Sequence, residues 1–192
     1  MTEILLFHHV LGLTPGVVAF ADELRAAGHV VHTPDLWQGK IFSTVDEGAA
    51  HEESIGFEPM IERTQQIADD LPNDIVYGGF SMGVVYAQRL ATIRPGAKGA
   101  LFFYSAVPTR FFGSWPELVP LQIHMMDADP FALPPNEDLE VARQLAETID
   151  GAELFLYPGD RHLFADNSTP DYDEGAATLA KQRALEFLAK VE

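Results

Sequence analysis

The run Asp74-Ile75-Val76-Tyr77-Gly78-Gly79-Phe80-Ser81-Met82-Gly83 leaves this chain the fewest structural options. It begins as a short apolar, β-branched strand and passes into helix-like sequence from Val84 to Ile93. Between the two, Gly79-x-Ser81-x-Gly83 predicts a sharp turn. Glycine on each side lets the backbone approach closely and lifts the Ser81 hydroxyl into the open at the end of the strand. A hydroxyl so placed can reach a carbonyl carbon. A turn in which serine is merely small and polar would read the same way, so the motif draws its weight from this context and from partners elsewhere in the chain.

The flanking sequence repeats the strand-helix alternation. Ile4 to Phe7 reads as a buried strand, and Thr14-Pro15 supplies an N-cap and first-turn proline for a helix that Gly28 stops. His29 to Thr33 follows as a second strand, giving a βαβ unit with parallel neighbours. From Asp35 to about Gly56 no periodicity is evident, and the stretch reads as an irregular excursion or a pocket rim. A polar-rich helix through Ile61, Ile67, Ala68 and Leu71 ends before Pro72. Further strands are predicted at Ala100 to Tyr104, Leu121 to Met126 and Glu153 to Tyr157, with helices from about Asn136 to Thr148 and through Ala180, Ala184, Phe187, Leu188 and Val191. About six strands alternating with helices predict an α/β fold, a mostly parallel sheet covered on both faces, with the site in loops at the carboxyl ends of the strands.

Charge narrows the function. With 29 acidic against 12 basic residues and a formal net charge of −17, the chain is a poor match for nucleic acid or anionic membranes. At 192 residues and 47% hydrophobic content it is expected to bury one core, as a single domain over 1–192. The start lacks a basic n-region and a long apolar run, which makes a cytoplasmic protein the default expectation. The chain has no cysteine, which excludes disulfides, a thiol nucleophile and thiolate metal sites.

Three of the predicted strand ends carry Ser81, the pair Asp127 and Asp129, and His162. Each residue type answers a separate need. Serine at neutral pH is a poor nucleophile, so an imidazole must take its proton and later return it to the leaving group. A carboxylate must hold that imidazole in the right tautomer and offset its charge. His162 is preferred because it follows a late strand inside a turn-forming stretch. His29, His32 and His124 lie in or beside strands and read as structural, and His51 offers no chemical argument. His8 and His9 are adjacent, so as strand residues they point to opposite faces and make a weak metal site. Asp160 shares the turn of His162 and reads as a turn residue. Spacing alone leaves Asp127 and Asp129 both open.

Over nearly its full length the chain resembles the dienelactone hydrolase family of α/β-hydrolases. The resemblance rests on Val10-Leu11-Gly12 after the first strand, Pro34-Asp35-Leu36, the Ser81 turn, Asp129 after His124-Met125, and Gly159-Asp160-Arg161-His162-Leu163-Phe164. It implies a compact fold without a large cap domain, Asp129 as the acid of a Ser81-His162-Asp129 triad, and an oxyanion hole made by the backbone N–H groups of Met82 and Val10. The best-known members carry cysteine at the Ser81 position and glutamate at that of His9. The same type has an arginine where this chain has Asp166, and an aspartate facing the substrate would repel an anion.

The expected activity is hydrolysis of a small carboxylic ester or lactone through an acyl-enzyme, with no cofactor and no metal. His9, Tyr104, Phe111, Phe112 and Trp115 are the expected pocket residues. Thioester or amide cleavage would use the same machinery. A non-catalytic small-molecule-binding protein on this fold is the reading from another class, and it has no need of a general base.

Overall fold

Over residues 1–191, described by a computed structural model, six strands form one wholly parallel sheet: β1 (Glu3–Phe7), β2 (Val30–His32), β3 (Val76–Phe80), β4 (Gly99–Phe103), β5 (Leu121–Met126) and β6 (Ala152–Tyr157). Their order is β2-β1-β3-β4-β5-β6. The chain moves outward from β1 to β2, then returns across β1 to build β3 through β6. That reversal opens a crevice between the carboxyl ends of β1 and β3, where α/β sheets bind ligands.

Six α-helices flank the sheet among the described residues: α1 (Pro15–Ala26), α2 (Val45–Ile55), α3 (Phe57–Asp69), α4 (Met82–Ile93), α5 (Asp138–Thr148) and α6 (Glu174–Lys190). α1 starts as its sequence predicts, with Pro15 at the first helical position and the Thr14 hydroxyl accepting the Val17 N–H. It packs beside α6 on one face, where Lys181 pairs with Glu23. Right-handed crossovers place α3, α4 and α5 on the other face. β3, β4 and β5 are buried at every residue, as strands covered on both sides must be. Phe20 of α1 meets Phe80 and Phe103 edge-on, with ring centroids 5.3 and 5.2 Å apart. Each such buried ring contributes about 2–3 kcal/mol and ties the helix to the strand that ends at Ser81. None of the described helices is long and apolar enough to cross a membrane.

One segment differs from the sequence reading. The stretch after Asp35 is not irregular throughout, because residues 45–55 form α2. Its start is fixed by a reciprocal cap in which the Thr44 hydroxyl accepts the Glu47 N–H and the Glu47 carboxylate accepts the Thr44 N–H. Residues 105–120 cross from β4 to β5 as a loop, with one 3-10 turn at Thr109–Phe111 where a full helix would normally run.

Candidate active site

Ser81 occupies the turn between β3 and α4 at φ 48°, ψ −115°, a conformation that costs a residue with a side chain about 1–3 kcal/mol. Its surroundings enforce it. The Ser81 N–H donates to the Phe103 carbonyl at 2.8 Å, and the Ser81 carbonyl accepts the Val84 N–H at 2.8 Å. A Cβ on Gly79 would overlap the Gly83 carbonyl, and one on Gly83 would lie 2.6 Å from the Phe7 oxygen and 2.7 Å from that of His8. Both glycines are therefore steric requirements of the turn.

The ends of β5 and β6 bring the other two groups to Ser81. His162 Nδ1 lies 2.6 Å from Asp129 Oδ2 and its Nε2 lies 2.8 Å from Ser81 Oγ. A carboxylate only accepts, so Nδ1 carries the proton and Nε2 is left to accept from the serine hydroxyl. Asp129 is 1% exposed, and its second oxygen accepts the Phe131 N–H at 2.8 Å. The two candidate acids separate here: Asp127 is exposed and accepts the Gly159 N–H at 3.1 Å, which makes it a turn residue.

Val10 lies in the turn that follows β1 and Met82 directly follows Ser81, so both stand at the carboxyl ends of the neighbouring strands β1 and β3. Met82 is the first residue of α4, so its N–H has no acceptor within the helix. Neither N–H meets an acceptor among the described residues. The carbonyls around Val10 are occupied: that of His9 accepts the Gly12 N–H, and that of Val10 accepts Trp37 Nε1–H.

The expected pocket residues fare differently. Tyr104 is 1% exposed; its ring lies 5.6 Å from that of His162 and its hydroxyl accepts the Ala165 N–H, so it supports His162 from behind. His9 is fully buried and donates from Nε2 to Asp166 Oδ2 at 2.7 Å, so it too lies behind the surface a substrate would touch. Phe111, Phe112 and Trp115 belong to the 105–120 crossover and form no contact with Ser81 or His162 among the described residues. Phe111 is 63% exposed beneath the Arg110 guanidinium. Trp115 packs on Phe102 and donates to the Val119 carbonyl near the start of β5, at the opposite end of the sheet. Of the three, Trp115 packs against the core. The aromatic that does meet the site is Phe131, half-exposed with its ring 4.8 Å from that of His162. Its position two residues beyond Asp129 is the signal that could have found it.

Asp166 does not face a substrate. It is 2% exposed, and its carboxylate accepts from His9 Nε2–H, the Thr14 hydroxyl at 2.5 Å, and the Ser168 N–H and hydroxyl at 2.8 and 2.6 Å. Burial pushes its carboxyl up, but the donors together outweigh that and hold it at about 2. His8 and His124 are also structural. Burial drives His8 down to about 4 and His124 to about 3. His8 Nδ1–H donates to the His9 carbonyl while its Nε2 accepts the Leu36 N–H. His124 stacks on Phe103 and bonds Tyr157 and Gln122.

These shifts predict an early acid limb of stability. Below pH 6.5 the unfolded chain protonates His8 and His124 while the folded chain resists, so stability falls as the pH drops toward their folded values. Asp166 adds a later loss, between its ordinary value of 3.8 and about 2. At about 1.4 kcal/mol per unit, the two histidines together should cost roughly 5 kcal/mol between about pH 6.5 and pH 4.5. Urea titrations at the two pH values measure it, and His124→Gln should remove about half of the loss.

A parallel sheet in this order, with a strained serine beside its switch point, is the framework of the α/β-hydrolases. The chain belongs to the dienelactone hydrolase family, whose model matches residues 1–192, and its fold is that of a hydrolase. It is similar to a solved candidate dienelactone hydrolase from Klebsiella pneumoniae (18% identity, 99% of this chain and 87% of that one, TM-score 0.77). It is similar to the dienelactone hydrolase-like promiscuous phosphotriesterase P91 from metagenomic libraries (14% identity, 100% and 87%, TM-score 0.77). A third similar structure is the thioesterase domain from the curacin biosynthetic pathway (16% identity, 94% and 90%, TM-score 0.62). No curated protein sequence matches the chain.

Proposed function

We propose that the protein is a serine hydrolase that cleaves a small, neutral carboxylic ester or lactone. The observation that carries this reading is the unbroken chain from Ser81 Oγ through His162 to Asp129, at 2.8 and 2.6 Å. Ser81 attacks the carbonyl carbon as His162 Nε2 takes its proton, and Asp129 offsets the charge that forms on the ring. The N–H groups of Val10 and Met82 donate to the oxyanion, as donors fixed before the charge appears and worth about 3 kcal/mol each. His162 returns the proton to the leaving alcohol. Water then enters by the same base and frees the acid from Ser81.

The preference for a neutral substrate follows from charge. Asp129 and Asp166 are both buried, and among the described residues neither pairs with a lysine or arginine. An anionic substrate at Ser81 would be repelled by the nearby Asp129 carboxylate, with no lysine or arginine among the described residues paired to it to offset that repulsion.

The test combines labelling with a substrate panel. A fluorophosphonate should add once, on the peptide containing Ser81, and abolish turnover in step. The panel holds activated esters, lactones, a thioester and a phosphotriester, the last two because structures of similar fold bear those names. It includes one ester as a matched neutral and anionic pair, and the neutral member should turn over faster. Turnover that persists after complete labelling would reject the mechanism. Tight binding of panel members without turnover would favour a binding protein.

A further inference from the structure

Building on the serine-hydrolase reading, we propose that the buried His9–Asp166 pair positions the oxyanion hole: it fixes the turn that presents the Val10 N–H and ties that turn to the loop bearing His162. The argument begins with peptide geometry. In a trans peptide the C=O and N–H point in opposite directions. The His9 carbonyl is pinned by two donors, the Gly12 N–H at 3.0 Å and His8 Nδ1–H at 2.7 Å. The N–H on the same peptide, that of Val10, is thereby turned the other way and left without an acceptor. The next peptide is held at both of its ends. Its carbonyl, on Val10, accepts Trp37 Nε1–H at 2.8 Å, and its N–H, on Leu11, donates to His9 Nδ1 at 3.3 Å.

That last bond requires one particular tautomer of His9. Nδ1 can accept only if the ring proton is on Nε2, and Asp166 secures it there by accepting Nε2–H at 2.7 Å. His9 thus stands to the turn as His162 stands to Ser81, with a buried aspartate fixing which nitrogen is free. Asp166 is itself anchored within the His162 loop, where its N–H donates to the Leu163 carbonyl at 2.9 Å. Gly16 of α1 makes room for it, since a Cβ there would overlap the Asp166 carboxylate. The pair touches no reacting atom and acts through the Val10 peptide.

The experiment measures kcat per titrated Ser81, KM, and the affinity of a boronic acid transition-state analogue, in His9→Gln, Asp166→Asn and the double variant. Gln can still donate toward Asp166 but offers Leu11 no acceptor at the Nδ1 position. Each single variant is expected to lose roughly 10- to 100-fold in kcat and in analogue affinity, with KM within about twofold, since the hole is felt only as charge develops. The double variant should be no worse than the weaker single one, because the pair acts as a unit. Unchanged kcat per titrated site, even with a lowered melting temperature, would overturn the proposal and leave the pair a structural tie. Should the buried variants not fold, Thr14→Val removes one donor from Asp166 and is read the same way, with a loss of roughly threefold or more expected and no loss decisive against it. Failure of the parent reading would show separately, as wild-type protein whose Ser81 cannot be titrated.

Discussion

Replacing Ser81 with alanine is expected to lower kcat on a neutral activated ester by roughly 10⁵-fold while leaving the melting temperature within a few degrees. The asymmetry follows from what the side chain does. The backbone conformation at residue 81 is held by the Phe103 carbonyl, by the Val84 N–H and by the absent side chains of Gly79 and Gly83, none of which alanine disturbs. Alanine has the same Cβ as serine and meets the same strain. What disappears is the nucleophile, and with it the acyl-enzyme. The two N–H donors would still stabilise direct attack by water, so a small residual rate above buffer should persist. Initial rates with active-site titration decide the matter, and equal rates in the two proteins would remove Ser81 from the mechanism.

Asp129→Asn should lower kcat by about 10⁴-fold at neutral pH with the fold intact. Asparagine is close in shape, and its carbonyl can keep the Phe131 N–H that Oδ1 now accepts. The amide placed against His162 Nδ1 would then be a donor, which moves the ring proton to Nε2 and points a hydrogen at Ser81 where a lone pair is needed. KM should change little. Nuclear magnetic resonance of the ring protons provides a second reading, since the signal of a proton held between Nδ1 and Asp129 should vanish. A variant that keeps the wild-type rate would mean that Asp127 or another carboxylate holds the ring.

Local signals carried most of the fold. The strand-turn-helix around Ser81, the proline at the start of α1 and the strand at Leu121–Met126 are encoded by residues adjacent in sequence. The capping pair of Thr44 and Glu47 was equally local, and its three-residue spacing could have revealed α2. The roles of Asp166 and of the aromatics were not local. Whether a carboxylate faces substrate or is consumed by four donors depends on His9 and Thr14, more than 150 positions away along the chain. Phe111 and Trp115 read as a pocket wall from sequence because nothing adjacent to them reveals that Trp115 packs on Phe102 while Phe111 stays largely exposed.

The direct seating of Gly83 against the Phe7 and His8 carbonyls has a practical corollary for engineering. Main chain meets main chain there, so the gap between the two donor peptides is set without help from the side chains at positions 10 and 82. Gly83→Ala should therefore push those peptides apart and cost turnover whatever side chains stand at positions 10 and 82.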